Sequence, residues 1–356
     1  MPIKEKIIRQ ISLLKRIGQL NKIKTGFMIG NTAKIDKVNN YLTPIRKFNR
    51  MVIGGAIIDN EHLAMGISKQ VDGIIEYVFV DAEKKVSDNS SINGDPANIE
   101  RIVREEISQS KLLTYKGNDL SADAIDSFIS YKYKDALRGV GGKKITIVGA
   151  GNLGSKLALK LVERGGKVVI TRRNKKKLEL ISKALNIIKP SYTTENVESE
   201  VDNKIAAIGS DILIGTTNGR PIITKNMVES LKDSAIIIDA GKGNLNENAI
   251  NLAMERKIEI YRLDVTSALA GMIEAQLTNE NNFKNKMGRK YFKNIGFVAG
   301  GIFAKKGEIV VDDISNPSSF IGISDGRGDF NRVLSSSDET FYNNLIIEYK
   351  KQIKEN

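Results

Sequence analysis

Apolar residues at Ile3, Ile7, Ile11, Leu14 and Ile17 recur at spacings of three and four. This is the period of one helix face, so the first ~20 residues predict an amphipathic helix packed on the body of the protein. Short apolar runs follow at Gly26–Gly30, Met51–Ile58 and Ile74–Val80. Each is bounded by Gly, Asn or Asp, the residues that end strands. Asp95-Pro96 puts a cap residue before a proline at the first helical position, which predicts a helix to about Ser110. A second helix is expected over about Ser121–Arg138, ahead of Gly139-Val-Gly-Gly142.

The pattern then becomes regular. Strands are expected at Lys144–Val148, Lys167–Ile170, Asp211–Gly215, Ala235–Asp239 and Ile258–Leu263. Helices are expected at Leu153–Glu163, Lys175–Leu185, Lys225–Leu231 and Glu247–Glu255. Strands alternating with helices at this spacing imply a parallel, doubly wound sheet. From about Thr266 a helix is followed by an expected hairpin, Phe297–Ala304 with Glu308–Val311 around Lys305-Lys306-Gly307, and a charged helix from about Glu339. The fold class is therefore α/β. Residues 1–138 form an N-terminal α/β lobe, 139–266 a Rossmann domain, and 267–356 a segment expected to return to the first lobe.

Composition narrows the chemistry. The 356-residue chain has no cysteine and one histidine, His62. Disulfides, thiolate metal sites and cysteine nucleophiles are excluded, and so is a multi-histidine metal centre. No metal site is expected, and catalysis falls to Lys, Asp, Glu, Tyr, Ser, Thr or a cofactor. Charged residues make up 27% of the chain and no apolar run reaches the ~20 residues of a membrane span, so a cytoplasmic protein with no membrane partner is expected. The net charge of +13 is spread along the chain with no aromatic-interleaved basic stripe. It is read as a solvated lysine-rich surface, and nucleic acid is not an expected partner. A homodimer is the expected assembly.

Gly149-Ala-Gly-Asn-Leu-Gly154 is a GxGxxG sequence lying directly after an apolar strand and opening a helix. In that setting the first glycine permits a tight turn and the second admits a pyrophosphate. The third lets helix and strand pack closely, and the helix N-terminus faces the phosphates. Gly149, Gly151, Asn152, Leu153 and Gly154 are thus cofactor-binding candidates. Methyltransferases that bind an adenosyl group share the fingerprint. They and NAD enzymes place an acidic residue at the end of the second strand, where this chain has Thr171-Arg172-Arg173-Asn174. Two arginines suit a 2′-phosphate, so NADP is expected, with NAD the alternative. Thr216, Thr217 and Asn218, after the third strand of the pattern, are candidates beside the nicotinamide ribose, as ligands gather at carboxyl strand ends.

Tyr115-Lys-Gly-Asn-Asp119, a helix, then Gly142 to Gly154 and Val169-Ile-Thr-Arg-Arg-Asn174 resemble the central region of shikimate dehydrogenases. The run from Asp211 through Asp239 also resembles glutamyl-tRNA reductase and the methylene-tetrahydrofolate dehydrogenases. The resemblance spans about Lys116 to Asp264 and implies an amino-acid-dehydrogenase-type catalytic lobe before an NAD(P) Rossmann domain. Glutamyl-tRNA reductase activity needs a cysteine that this chain lacks. The shikimate-binding segment of the first lobe is matched only imperfectly by Leu42-Thr-Pro-Ile-Arg-Lys47.

By this resemblance Asp119 acts with a lysine of the first lobe, and Lys116, Lys47 and Lys69 fit the pattern. His62 is a further acid–base candidate. The expected function is NADP-dependent hydride transfer to or from a small polar metabolite. A folate- or pterin-linked one-carbon dehydrogenase and a non-catalytic nucleotide-binding module are the alternatives.

Overall fold

The first helix, α1 (Ile3–Asn21), buries Ile7, Ile11 and Leu14 against a five-stranded sheet. A computed structural model describes residues 3–32, 40–86, 97–331 and 333–355, in two compact units, Met1–Met272 and Ile273–Asn356. The first sheet comprises β1 (Lys24–Asn31), β2 (Tyr41–Lys47), β3 (Met51–Ile58), β4 (Tyr77–Asp81) and β5 (Lys111–Tyr115), in the order β2-β3-β1-β4-β5. All run parallel except β2, which pairs antiparallel with β3. Helices α2 (Glu61–Val71) and α3 (Ile99–Glu106) share the apolar cluster that α1 enters.

Strands β2 and β5 were not legible in the hydrophobic pattern. β2 is an edge strand that carries Pro44 within a register shift between Thr43 and Arg46, where a missing N–H is tolerated. Buried Gln10 of α1 serves this irregular edge, donating to Thr43 O at 2.7 Å and accepting from Gly55 N at 3.1 Å. The expected Asp95-Pro96 cap lies outside the described residues. Helix α3 is capped instead by Asn98, whose side chain accepts from Arg101 N.

Helix α4 spans Gly117–Lys132, starting and ending earlier than the pattern suggested, so Asp119 falls in its first turn. It leads into a six-stranded parallel sheet in the order β11-β10-β9-β6-β7-β8. The chain order is β6 (Lys144–Val148), α5 (Asn152–Glu163), β7 (Lys167–Thr171), α6 (Lys175–Ile188), β8 (Val197–Glu200), α7 (Asn203–Ala207) and β9 (Ile212–Gly215). It continues with α8 (Lys225–Glu229), β10 (Ile236–Asp239), α9 (Glu247–Glu255) and β11 (Glu259–Arg262). Helices α4, α5 and α6 cover one face, and α7, α8 and α9 the other. Leu157 and Leu161 of α5 are wholly buried, each stabilising by ~1.5–3 kcal/mol. The doubly wound α/β class expected from the sequence is the one observed, with its strand order reversing between β6 and β9. The pattern missed β8 and α7, which lie in a polar stretch with few apolar anchors.

Helix α10 (Thr266–Asn281) carries the chain into the second unit. There β12 (Gly288–Phe292), β13 (Ile295–Ala299), β14 (Ile309–Val311), β15 (Phe320–Ser324) and β16 (Phe330–Asn331) form a five-stranded sheet in sequence order. Helix α11 (Ser336–Glu355) packs Leu345, Ile346 and Tyr349 on it. The hairpin expected between 297–304 and 308–311 is not formed: β13 and β14 run parallel. The hairpin is β12–β13, closed by Lys293 and Asn294 at φ 46 and 65. Two left-handed residues make the tight turn whose twist matches paired strands, and no Asn-Gly or Asp-Gly advertises it.

Candidate coenzyme site and interlobe cleft

At the carboxyl end of β6 the chain turns through Gly149-Ala150-Gly151. Gly149 N and Ala150 N both donate to Thr171 O, at 3.2 and 2.8 Å, tying the turn to the end of β7. Gly149 has φ +111, and a Cβ there would lie 2.9 Å from Thr217 Cγ2. A Cβ on Gly154 would lie 2.3 Å from Gly149 O, so α5 rests directly on the loop. Gly151 differs, since a Cβ there would meet nothing nearer than 4.0 Å. Two glycines are demanded by packing, and the third faces open space. Gly151 caps α5 without a side-chain hydrogen bond, leaving the helix's first amides to face an anion.

A groove of about 330 Å³ runs along this loop. Gly149, Gly151, Thr171, Arg172, Arg173, Thr216, Thr217 and Asn218 line it, bringing together eight of the eleven cofactor candidates. Asn152, Leu153 and Gly154 stand behind them in the first turn of α5, where Leu153 packs on the core. No carboxylate lines the groove among the described residues. Open space at Gly151, uncapped amides and a cationic rim fit a dinucleotide. Arg172 Nη1 donates to Ala150 O at 2.5 Å, laying its guanidinium over the glycine loop. Arg173 is exposed and forms no ion pair among the described residues. Thr171 is buried and contributes its carbonyl. Thr216 turns its hydroxyl inward to Gly149 O at 2.7 Å, which makes it scaffold.

Sequence reasoning missed Asn244, wholly buried behind the groove's mouth. Its side chain accepts from Thr217 N at 3.2 Å and donates to Thr217 O at 3.1 Å. Gly215 and Gly241 make room for it, since a Cβ on either would come within 2.6 Å of its side chain. An asparagine in a glycine-rich turn reads as turn chemistry, and only the fold reveals the fastener.

The first lobe presents its parallel strand ends, Asn31, Asp81 and Tyr115, to a charged cluster. Lys85 Nζ lies 2.8 Å from Asp81 and 2.7 Å from Glu83. The Asp81 carboxylate accepts from Gly117 N at 3.1 Å, and Glu83 from Asn118 N at 2.8 Å, anchoring the start of α4. Lys156, on α5, ion-pairs with Asp119 and reaches Glu83 at 3.3 Å. Lys116 approaches Asp119 at 3.8 Å, and Asn118 donates to the Asn152 side chain at 3.0 Å. Burial pushes Glu83 up, but Lys85, the Asn118 amide and Lys156 outweigh it and hold the carboxyl below its ordinary value. Burial likewise opposes the charge on Lys156, yet Asp119 and Glu83 raise its affinity for the proton. Both groups stay charged at neutral pH.

Asp119 and Lys116 are thus brought together, with Lys156, Glu83 and Lys85 as partners that the sequence did not single out. Lys47 is not brought there. Because β2 runs antiparallel, Lys47 pairs with Val52 at the amino end of β3, and it donates to Asn21 at the end of α1. Lys69 pairs with Glu106 at 3.7 Å on the helical side, and His62 is exposed on α2. The other rim of the cleft is bridged by Arg46, 3.1 Å from Asp264, and by Lys242, 2.7 Å from the Tyr41 hydroxyl. Among the described residues no helix is long and apolar enough to cross a membrane, and no group of three or more His, Cys, Asp or Glu residues could hold a metal ion.

Residues 127–284 match the sequence model of the NAD-binding domain of D-isomer-specific 2-hydroxyacid dehydrogenases. A dipicolinate synthase chain from Bacillus halodurans is similar in structure at 12% identity, over 72% of this chain and 97% of that one, with a TM-score of 0.36. L-tryptophan dehydrogenase from Nostoc punctiforme is similar at 15% identity, over 74% of this chain and 78% of that one, with a TM-score of 0.42. At these scores the structural likenesses say nothing about substrate. The sequence match groups the central domain with NAD-binding dehydrogenase domains in general, without selecting the shikimate, glutamyl-tRNA or folate branch. The chain is a nicotinamide-dependent oxidoreductase of the dehydrogenase or reductase class.

Proposed function

We propose that the protein is an NADP-dependent dehydrogenase or reductase acting on a small polar metabolite in the cleft between its first lobe and its Rossmann domain. The observation that carries this reading is the groove at the glycine loop, with Arg172 and Arg173 at its rim and no carboxylate in its lining among the described residues. Gly151 and the uncapped start of α5 would take the pyrophosphate. The arginines would take the 2′-phosphate and Thr217–Asn218 the nicotinamide side. When bound, the coenzyme supplies the hydride chemistry.

The chain's own contribution is position and charge. Asp119 and Lys156 stand as a charged pair at the junction of α4 and α5 and would hold a polar substrate group there. Lys156, on α5, would take the role that the sequence resemblance gave to a first-lobe lysine. The fastened loop of Asn244 fixes Thr217 for its contact.

Following the absorbance of NADPH while the purified protein is offered oxo acids, imino acids and sugar-acid ketones tests the reading. Oxidation of NADPH that requires one of these compounds supports it. NADPH binding with no oxidation by any carbonyl or imine compound contradicts catalysis, and absence of NADPH binding contradicts the whole reading.

A further inference from the structure

A lysine and a tyrosine also meet between the first lobe and the Rossmann domain. Lys242 Nζ donates to Tyr41 Oη at 2.7 Å and stands 4.7 Å from the ring centroid. The antiparallel course of β2 that carries Lys47 away places Tyr41, its first residue, beside Ile57 at the ligand-facing end of the sheet. Lys242 comes from the opposite lobe, on the turn after β10. That turn is held rigidly. The Asp239 carboxylate accepts from Gly243 N at 2.6 Å and Asn244 N at 3.3 Å. Gly241 comes so near the Thr217 carbonyl that a Cβ would lie 1.9 Å from its oxygen. Lys242 itself has φ +58, a left-handed conformation that non-glycine residues rarely adopt and that is kept here by its surroundings. The ammonium is thereby delivered from the turn after β10 to a phenol of the other lobe.

We infer that Tyr41 is the proton donor of the reduction and that Lys242 positions it. The inference rests on the coenzyme reading of the groove. A carbonyl or imine carbon that receives a hydride from the reduced dinucleotide loses its π bond to the heteroatom. The heteroatom takes the proton from Tyr41 Oη, and the resulting phenolate remains beside the Lys242 ammonium until solvent returns a proton. Atoms and electrons balance with the dinucleotide as the sole reductant. The substrate class is a small carbonyl or imine compound whose polar tail can reach Asp119 and Lys156.

The neighbouring tyrosine shows why Tyr41 has this role. Tyr115 is buried, and burial first, then the charges of Asp81, Tyr41 and Glu83, push its phenol well above the ordinary value. It has no lysine partner among the described residues. Tyr41 is 37% exposed and faces an ammonium. The carboxylates of Asp81 and Glu83 oppose phenolate at Tyr115, and Lys85 lies on each of them. Lys242 is the cation that touches Tyr41 itself.

Tetranitromethane nitrates tyrosine through its phenolate, and peptide mass spectrometry of the full chain reads each site. Tyr41 is expected to nitrate about tenfold faster than Tyr192, although Tyr192 is 97% exposed. Lys242→Met is expected to remove the advantage and Lys242→Arg to keep most of it. Saturating NADPH is expected to slow nitration at Tyr41 and leave Tyr192 unchanged. Nitration at Tyr41 no faster than at Tyr192 in the wild-type protein, or an advantage that survives Lys242→Met, overturns the inference. NADPH affinity measured on the same samples separates the two ideas. Tight binding with unselective nitration defeats the proton donor alone, whereas selective nitration without NADPH binding supports the activated tyrosine and defeats the coenzyme reading.

Discussion

The two sheets of the first unit present very different surfaces at their ligand-facing ends. The Rossmann sheet ends in backbone: a glycine turn, the uncapped start of α5 and two loops fastened by Asn244. The first-lobe sheet ends in side chains: Asp81, Glu83, Lys85, Tyr115 and Tyr41, with Lys156 and Lys242 reaching over from the other lobe. A backbone surface suits a ligand that is the same in every turnover and large enough to need close approach. A charged side-chain surface suits a small variable substrate and the movement of protons. The difference argues that binding and chemistry are divided between the lobes, and the division can be attacked from either side.

The largest effect is expected on the backbone side. Gly149→Ala places a side chain at φ +111 and within 2.9 Å of Thr217. Strain and overpacking together should lower NADPH affinity by about a hundredfold, measured by fluorescence titration. A variant that binds NADPH normally would mean that the turn does not shape the site.

On the side-chain side the opposite signature is expected. Asp119→Asn leaves Lys156 with Glu83 alone and removes a charge from the cleft. Turnover with the metabolite identified by NADPH oxidation should fall by about tenfold to a hundredfold, while NADPH affinity stays within about twofold. Equal losses of affinity and turnover would dissolve the division between the lobes.

This division also decides how much could be read from the chain. The coenzyme groove is assembled largely from residues close in sequence, Val148 to Gly151 and Thr171 to Asn174, in a strand–turn–helix order that the glycine spacing announces. The cleft draws Tyr41, Glu83, Asp119, Lys156 and Lys242 from five separate segments. Only Asp119 carried a local signal, through family resemblance. Lys47 was misplaced because nothing in Leu42-Thr-Pro-Ile-Arg-Lys47 tells the direction of β2, and direction decides which end of the strand meets the cleft. In the second unit, the β12–β13 turn is built from Lys293 and Asn294, residues that do not mark a turn by themselves.

The smallest effect lies away from both surfaces. Asp72 accepts from the amides of Ser108, Gln109 and Ser110 and from the Ser108 hydroxyl. Burial pushes its carboxyl up, but these donors prevail and bring it from 3.8 to about 2. A depressed carboxylate contributes stability that is complete above its unfolded value and fades as the pH falls from about 4 to about 2. Asp72→Ala should cost about 1 kcal/mol in denaturant unfolding at neutral pH and leave NADPH affinity untouched. A change in NADPH affinity would show that the scaffold of the first lobe is coupled to the groove.

The central claim is that the groove beside Arg172 and Arg173 takes a 2′-phosphate, and titration of the wild-type protein with NADPH and NADH tests it most directly. Charge-assisted hydrogen bonds to the guanidinium groups contribute about 1.5–3 kcal/mol, so NADPH should bind about tenfold to a hundredfold tighter. Arg173, exposed and without an ion pair among the described residues, should carry most of that preference, and Arg173→Asp should abolish or reverse it. Equal affinities for the two coenzymes, or tighter binding of NADH, would contradict the account.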